Sequence, residues 1–328
     1  MELEDCRPQY MPRNSQYNLL NNRDFVNESS ISADLLMHQS LVEAPGGWIY
    51  RSYVRHKINI LRFLHAVGYI IEVICYFISE SRTKFREKVH NDTFALDPLF
   101  VSICWGIIII LGGVFLFCIF RNDIFAITML AEQLRYIQLP FYILISLYLM
   151  SKQFFADNDA YVINDCCLVT LMILCFYLYF KVKYKDDGRY TVSWSSYFGV
   201  HGMLSILSAW ILVELFHNAI LTAYTLEDKH NFNILGWKSE YWTITLMSIE
   251  FGFAVLMLST LKDVFFAFTM GYNFFGIYSL QARRICSEGC SASVKTTALA
   301  LGIVIYCFTF LTALLYSKQV CFSIRKGF

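Results

Sequence analysis

The chain has 328 residues, of which 56% are hydrophobic, 17% aromatic and only 16% charged, with a formal net charge of +1. A soluble chain carries about 25% charged residues, so this deficit, with a mean hydropathy of +0.46, excludes an ordinary water-soluble domain. The near-neutral balance and the lack of a basic cluster exclude an electrostatic nucleic-acid binder.

Residues 1–50 are polar and hold no apolar core. They predict a disordered N-terminal tail rather than a secretory signal peptide. The early acids Glu2, Glu4 and Asp5 argue against a mitochondrial presequence.

Residues 51–317 read as a transmembrane bundle. A helix needs about 20 apolar residues to cross the hydrocarbon core. Stretches near that length occur at 57–79, 98–120, 124–150, 161–180, 197–225, 241–261, 264–280 and 295–316. The third carries Glu132, Gln133, Arg135 and then Pro140, which predicts a kink or break. The sixth and seventh are separated only by Lys262-Asp263, so seven spans is the alternative count. Residues 318–328 form a short C-terminal tail. The expected fold class is an all-α, polytopic helical membrane bundle of about eight transmembrane helices.

Eight spans put both termini on one side of the membrane. Lysines and arginines near span ends slightly favour that side, which predicts cytoplasmic termini in a plasma membrane or endomembrane. Asn27 and Asn91 both open glycosylation sequons, and only Asn91 faces the lumen in this topology. Of the eleven cysteines, Cys75, Cys104, Cys118, Cys166, Cys167, Cys175 and Cys307 lie inside apolar runs and read as packing residues. Cys286 and Cys290 share a polar loop, where free thiols, a disulfide and palmitoylation all remain open.

Ionisable residues inside spans are costly and face the bundle interior. In the first span, Arg62, His65, Tyr69 and Glu72 fall on one helical stripe. In the fifth, Trp210, Glu214, His217 and Asn218 share a face, and the sixth adds Glu250. Glu132, Arg135, Asn164, Asp165 and Asn273 contribute further polar positions. Pairing between helices would explain any one of these residues. The whole set predicts a polar, partly hydrated cavity that binds a ligand or a proton. No histidine pair has zinc spacing on one helix, and no nucleophile stands beside the Glu214–His217 couple. The expectation is therefore a protein that is not an enzyme and holds neither metal nor cofactor.

Three segments carry a resemblance. The second span reads Trp105-Gly106-Ile-Ile108 after Pro98. The fifth reads Trp210-Ile-Leu-Val213 and reaches Asn218, and the seventh opens on Asp263 and ends Gly276-Ile277. This pattern resembles the long relatives of the tryptophan-rich sensory protein (TspO/MBR) family, over about residues 57–316. Tyr272, Ile109 and Glu214 stand where those relatives carry tryptophan, tyrosine and a small residue. The resemblance implies a helical bundle of a family whose five-span members bind tetrapyrroles and sterols. No binding residue is carried over.

The function expected from these readings is binding or transport of a small, unidentified ligand through a polar intramembrane cavity. Arg62, His65 and Glu72 would line one side, and Trp210, Glu214, His217, Asn218 and Glu250 the other. The partners are the lipid bilayer and that ligand, with a homo-oligomer left open. One alternative is a seven-span, ligand-gated channel like the insect gustatory and odorant receptors. The other is a non-catalytic structural membrane protein.

Overall fold

The computed structural model describes residues 47–82, 94–121, 126–127, 129–134, 137–154, 160–185, 195, 197–226, 233–234, 236–283 and 291–325. Asn91, Cys286 and Cys290 lie outside the described residues, as do the side chains of Glu132 and Arg135. The chain divides into two compact units, Met1–Asn59 and Ile60–Phe328. The described part of the first is the opening stretch of one helix, and all contacts given below belong to the second.

The helices in chain order are α1 (Gly47–Arg82), α2 (Pro98–Phe120), α3 (Gln138–Phe154), α4 (Ala160–Lys185), α5 (Met203–Leu226), α6 (Ser239–Leu261), α7 (Val264–Arg283) and α8 (Ala292–Arg325). Six helical stretches are long and apolar enough to cross a membrane among the described residues: His56–Ser79, Pro98–Phe120, Val162–Val182, Tyr197–Ala223, Ser239–Leu261 and Ala292–Leu315. These six stand beside the seven or eight spans expected from the sequence.

Local physics sets the other two expected stretches apart from these six. The stretch expected at 124–150 is not one helix. A π-helical turn, Met129–Leu134, precedes α3, and Pro140 falls in the first turn of α3. Proline is tolerated there because the first-turn N–H has no intrahelical partner. The break leaves Gln138–Ser151 as an apolar helix shorter than a span.

The other is α7. Its 20 residues give about 30 Å of helix, the thickness of the hydrocarbon core. It carries Thr269, Asn273, Ser279 and Gln281 and misses the composition of a lipid-facing span. The reason is its surroundings: α7 packs against α8, α5, α6 and α2. A helix enclosed by protein can carry polar residues because its neighbours satisfy them.

The Tyr197–Ala223 stretch is the centre of the bundle. Of its apolar window 72% is buried against protein, compared with 22% for Ala292–Leu315. The outer helices show the opposite pattern. Ile70, Ile74 and Phe77 of α1, Ile110 and Phe117 of α2, and Phe310, Leu314 and Leu315 of α8 are all exposed. An apolar exterior on helices whose backbone bonds are internal is what a bilayer demands. Of the cysteines read as packing residues, Cys104, Cys118 and Cys175 are buried.

Gly199 and Gly68 are among the glycines that permit close approaches. A π-helical segment, Tyr197–Gly202, leads into α5 and packs against α2. A Cβ on Gly199 would come within 2.9 Å of the Phe115 backbone nitrogen. On α1, a Cβ at Gly68 would meet the Tyr142 ring at 2.4 Å.

Candidate functional site

The stripe expected on α1 does turn inward. His65 and Glu72 are buried, while Ile70, Ile71 and Ile74 point outward. The Tyr142 hydroxyl of α3 is hydrogen-bonded to His65 Nδ1 at 2.8 Å. The Phe115 ring meets His65 edge-on, with centroids 4.9 Å apart. Tyr69 donates to the Ile109 carbonyl of α2 at 2.8 Å, and Gln138 donates to the Leu61 carbonyl at 3.4 Å. Arg62 is half-buried. Glu72 is 6% exposed, and no hydrogen bond or ion pair reaches it among the described residues.

The polar face of α5 meets α3 and α4. Tyr148 of α3 donates to Glu214 Oε2 at 2.5 Å. Beyond it runs a chain of side-chain bonds. Ser151 donates to Asn164 at 2.6 Å, and Asn164 Nδ2 donates to Asn218 Oδ1 at 2.7 Å. Asn218 Nδ2 donates to Asp165 Oδ1 at 2.5 Å, and Thr222 donates to Asp165 Oδ2 at 2.6 Å. Without water, such bonds are how membrane helices satisfy polar side chains and fix their register. His217 is half-buried, its ring centroid 6.3 Å from that of Phe94. Trp210 is fully buried, and its indole Nε1 has no acceptor among the described residues.

Glu250 on α6 is 0% exposed. Asn273 Nδ2 of α7 donates to Glu250 Oε2 at 2.8 Å. Glu250 Oε1 and Asn273 Oδ1 have no partner among the described residues.

The expected site residues therefore fall into three settings. The α1 residues face α2 and α3, Glu214 and Asn218 on α5 bond to α3 and α4, and Glu250 faces α7. No hydrogen bond or ion pair joins Glu72 to Glu250, or either of them to the other expected site residues.

Two aspartates outside the expected site anchor helix ends. Asp97 caps α2, accepting from Leu99 N at 3.1 Å and from Ser279 Oγ at 2.8 Å, and Arg283 lies 3.1 Å from it. Asp263 caps α7, accepting from Phe266 N at 3.0 Å and from Ser205 Oγ at 2.8 Å, with the Tyr179 hydroxyl also donating to it. The signal was legible: aspartate directly before an apolar run, once with proline next, marks a helix start. Beside Asp263 a cavity of about 10 Å³, room for about one water, is lined in part by Tyr179, Tyr197 and His201. Among the described residues, no group of three histidine, cysteine or acidic side chains could hold a metal ion.

No curated protein and no solved structure matches the chain. The family model for TSPO-like proteins matches residues 58–311. That match runs from the first turns of the membrane-crossing part of α1 to the last of α8, through every polar contact described above. This integral, multi-pass membrane chain belongs to the TSPO-like protein family.

Proposed function

We propose that this TSPO-like protein binds or moves a small ligand within its helical bundle. Arg62, His65 and Glu72 on α1, Trp210, Glu214, His217 and Asn218 on α5, and Glu250 on α6 form the polar interior that takes the ligand or a proton. The observation carrying this reading is Glu72. It is a buried carboxyl without a hydrogen bond or ion pair among the described residues, on a helix whose other faces are apolar. Burying a polar group without a partner costs roughly 2–7 kcal/mol, a cost that plain packing would have removed. The unpartnered indole of Trp210 supports the same reading from α5. Cytoplasmic termini belong to it as well, from the distribution of lysine and arginine.

A structural role is the second reading, favoured by the bonded chain Ser151–Asn164–Asn218–Asp165–Thr222. Those groups leave nothing for a ligand to satisfy.

Native mass spectrometry of the protein in nanodiscs separates the two. A co-purified small molecule that Glu72→Gln or Glu214→Gln loses, while still folding, supports ligand binding. An empty protein, with both variants as stable as the parent, removes it.

A further inference from the structure

We infer that Glu250 carries a proton within the membrane and forms a carboxylic acid–amide pair with Asn273. Glu250 Oε1–H donates to Asn273 Oδ1, while Asn273 Nδ2 donates to Glu250 Oε2. The second of these bonds is present at 2.8 Å. The first assigns a partner to each of the two oxygens that otherwise have none, Glu250 Oε1 and Asn273 Oδ1.

The argument rests on what surrounds the carboxyl. Glu250 and Asn273 are both 0% exposed, so water does not solvate a negative charge there. A buried carboxylate persists only when paired or heavily hydrogen-bonded. Glu250 has one donor, the neutral Asn273 amide, and no ion-pair partner among the described residues. The helices packed on α6 are α5, α7 and α8. Their ionisable side chains include Glu214 and His217 on α5, Tyr272 and Tyr278 on α7, and Lys295 and Tyr306 on α8. None of these bonds to Glu250 among the described residues.

A metal ion is a poorer occupant than a proton. Calcium takes six to eight oxygen ligands, whereas this pair offers two free oxygens. A proton needs one donor position and one acceptor, and the pair has both. The two groups already join α6 to α7, and the proton adds a second bond to that link. The inference rests on the reading of Glu250 as a proton site but needs no ligand in the bundle, so the infrared test and the ligand test can fail separately.

Infrared difference spectroscopy of the full chain in phospholipid nanodiscs at neutral pH tests this. The parent protein minus Glu250→Gln is expected to show a protonated carboxyl carbonyl band, lost in the variant. Two folded proteins that differ instead by a carboxylate band overturn the inference. Should Glu250→Gln not fold, Asn273→Leu serves in its place. There the acid loses both its acceptor and the amide donor to its carbonyl oxygen, and its carbonyl band is expected to move to higher frequency. An unmoved band overturns the inference equally.

Discussion

Asp263 and Asp97 grip opposite ends of the same helix. Asp263 opens α7 and accepts from Phe266 N, Ser205 and Tyr179, while Asp97 takes Ser279 and Arg283 near its close. The 20-residue helix between them is about 30 Å long. Each one fixes α7 to a neighbour: Asp263 to α5 and α4, Asp97 to the start of α2.

Asp263→Ala is expected to lower stability by about 2–4 kcal/mol, from a lost cap and two buried hydroxyls left without their acceptor. Asp263→Asn keeps an oxygen for the cap and is expected to cost less. Thermal unfolding of both variants in nanodiscs gives the order. Equal melting temperatures for Asp263→Ala and the parent would contradict the role.

Asp97 and Arg283 form an unequal pair. Arg283 is 64% exposed and Asp97 2%. Exposed ion pairs contribute about 0–1 kcal/mol, so Arg283→Ala is expected to be nearly neutral. Asp97→Ala also removes the α2 cap and the Ser279 acceptor, and is expected to cost more than the arginine change. Melting temperatures at low and high salt check this, and only the Arg283 contribution should fall with salt.

The amide bridge between α4 and α5 is a candidate for measured coupling. Asn164 Nδ2 reaches Asn218 Oδ1 at 2.7 Å. Hydrogen bonds between membrane helices couple by about 0.6–1.7 kcal/mol. A double-mutant cycle of Asn164→Leu and Asn218→Leu is expected to fall in that range. Additive effects would mean that the two amides act independently.

Gly199→Ala is expected to be destabilising by about 1–3 kcal/mol. Its Cβ would press on the Phe115 backbone, at 2.9 Å from the nitrogen, and a backbone cannot turn aside. Gly68→Ala would meet the Tyr142 ring at 2.4 Å, so it should also disturb the His65–Tyr142 bond. Tryptophan and tyrosine fluorescence with thermal unfolding follows both. Unchanged unfolding of Gly199→Ala would mean that α2 and the π-helical segment can separate.

Hydropathy, span lengths and charge placement were enough to establish an all-α membrane bundle, the break before Pro140 and the inward stripe of His65 and Glu72. These are local or periodic properties, set by transfer of side chains into lipid and by the 3.6-residue helical repeat. The aspartates at helix starts, Asp97 and Asp263, are legible by the same rules. The pairings lay beyond any such rule. That Tyr148 reaches Glu214, that Tyr142 reaches His65 and that Asn273 meets Glu250 depends on how distant helices dock. The status of α7 is of the same kind. Its polar residues look unfit for lipid until its neighbours are known, and enclosure by α2, α5, α6 and α8 makes them tolerable. Solvation by lipid acts on each residue alone and is written along the chain, whereas satisfaction of a buried polar group needs a partner that only packing supplies.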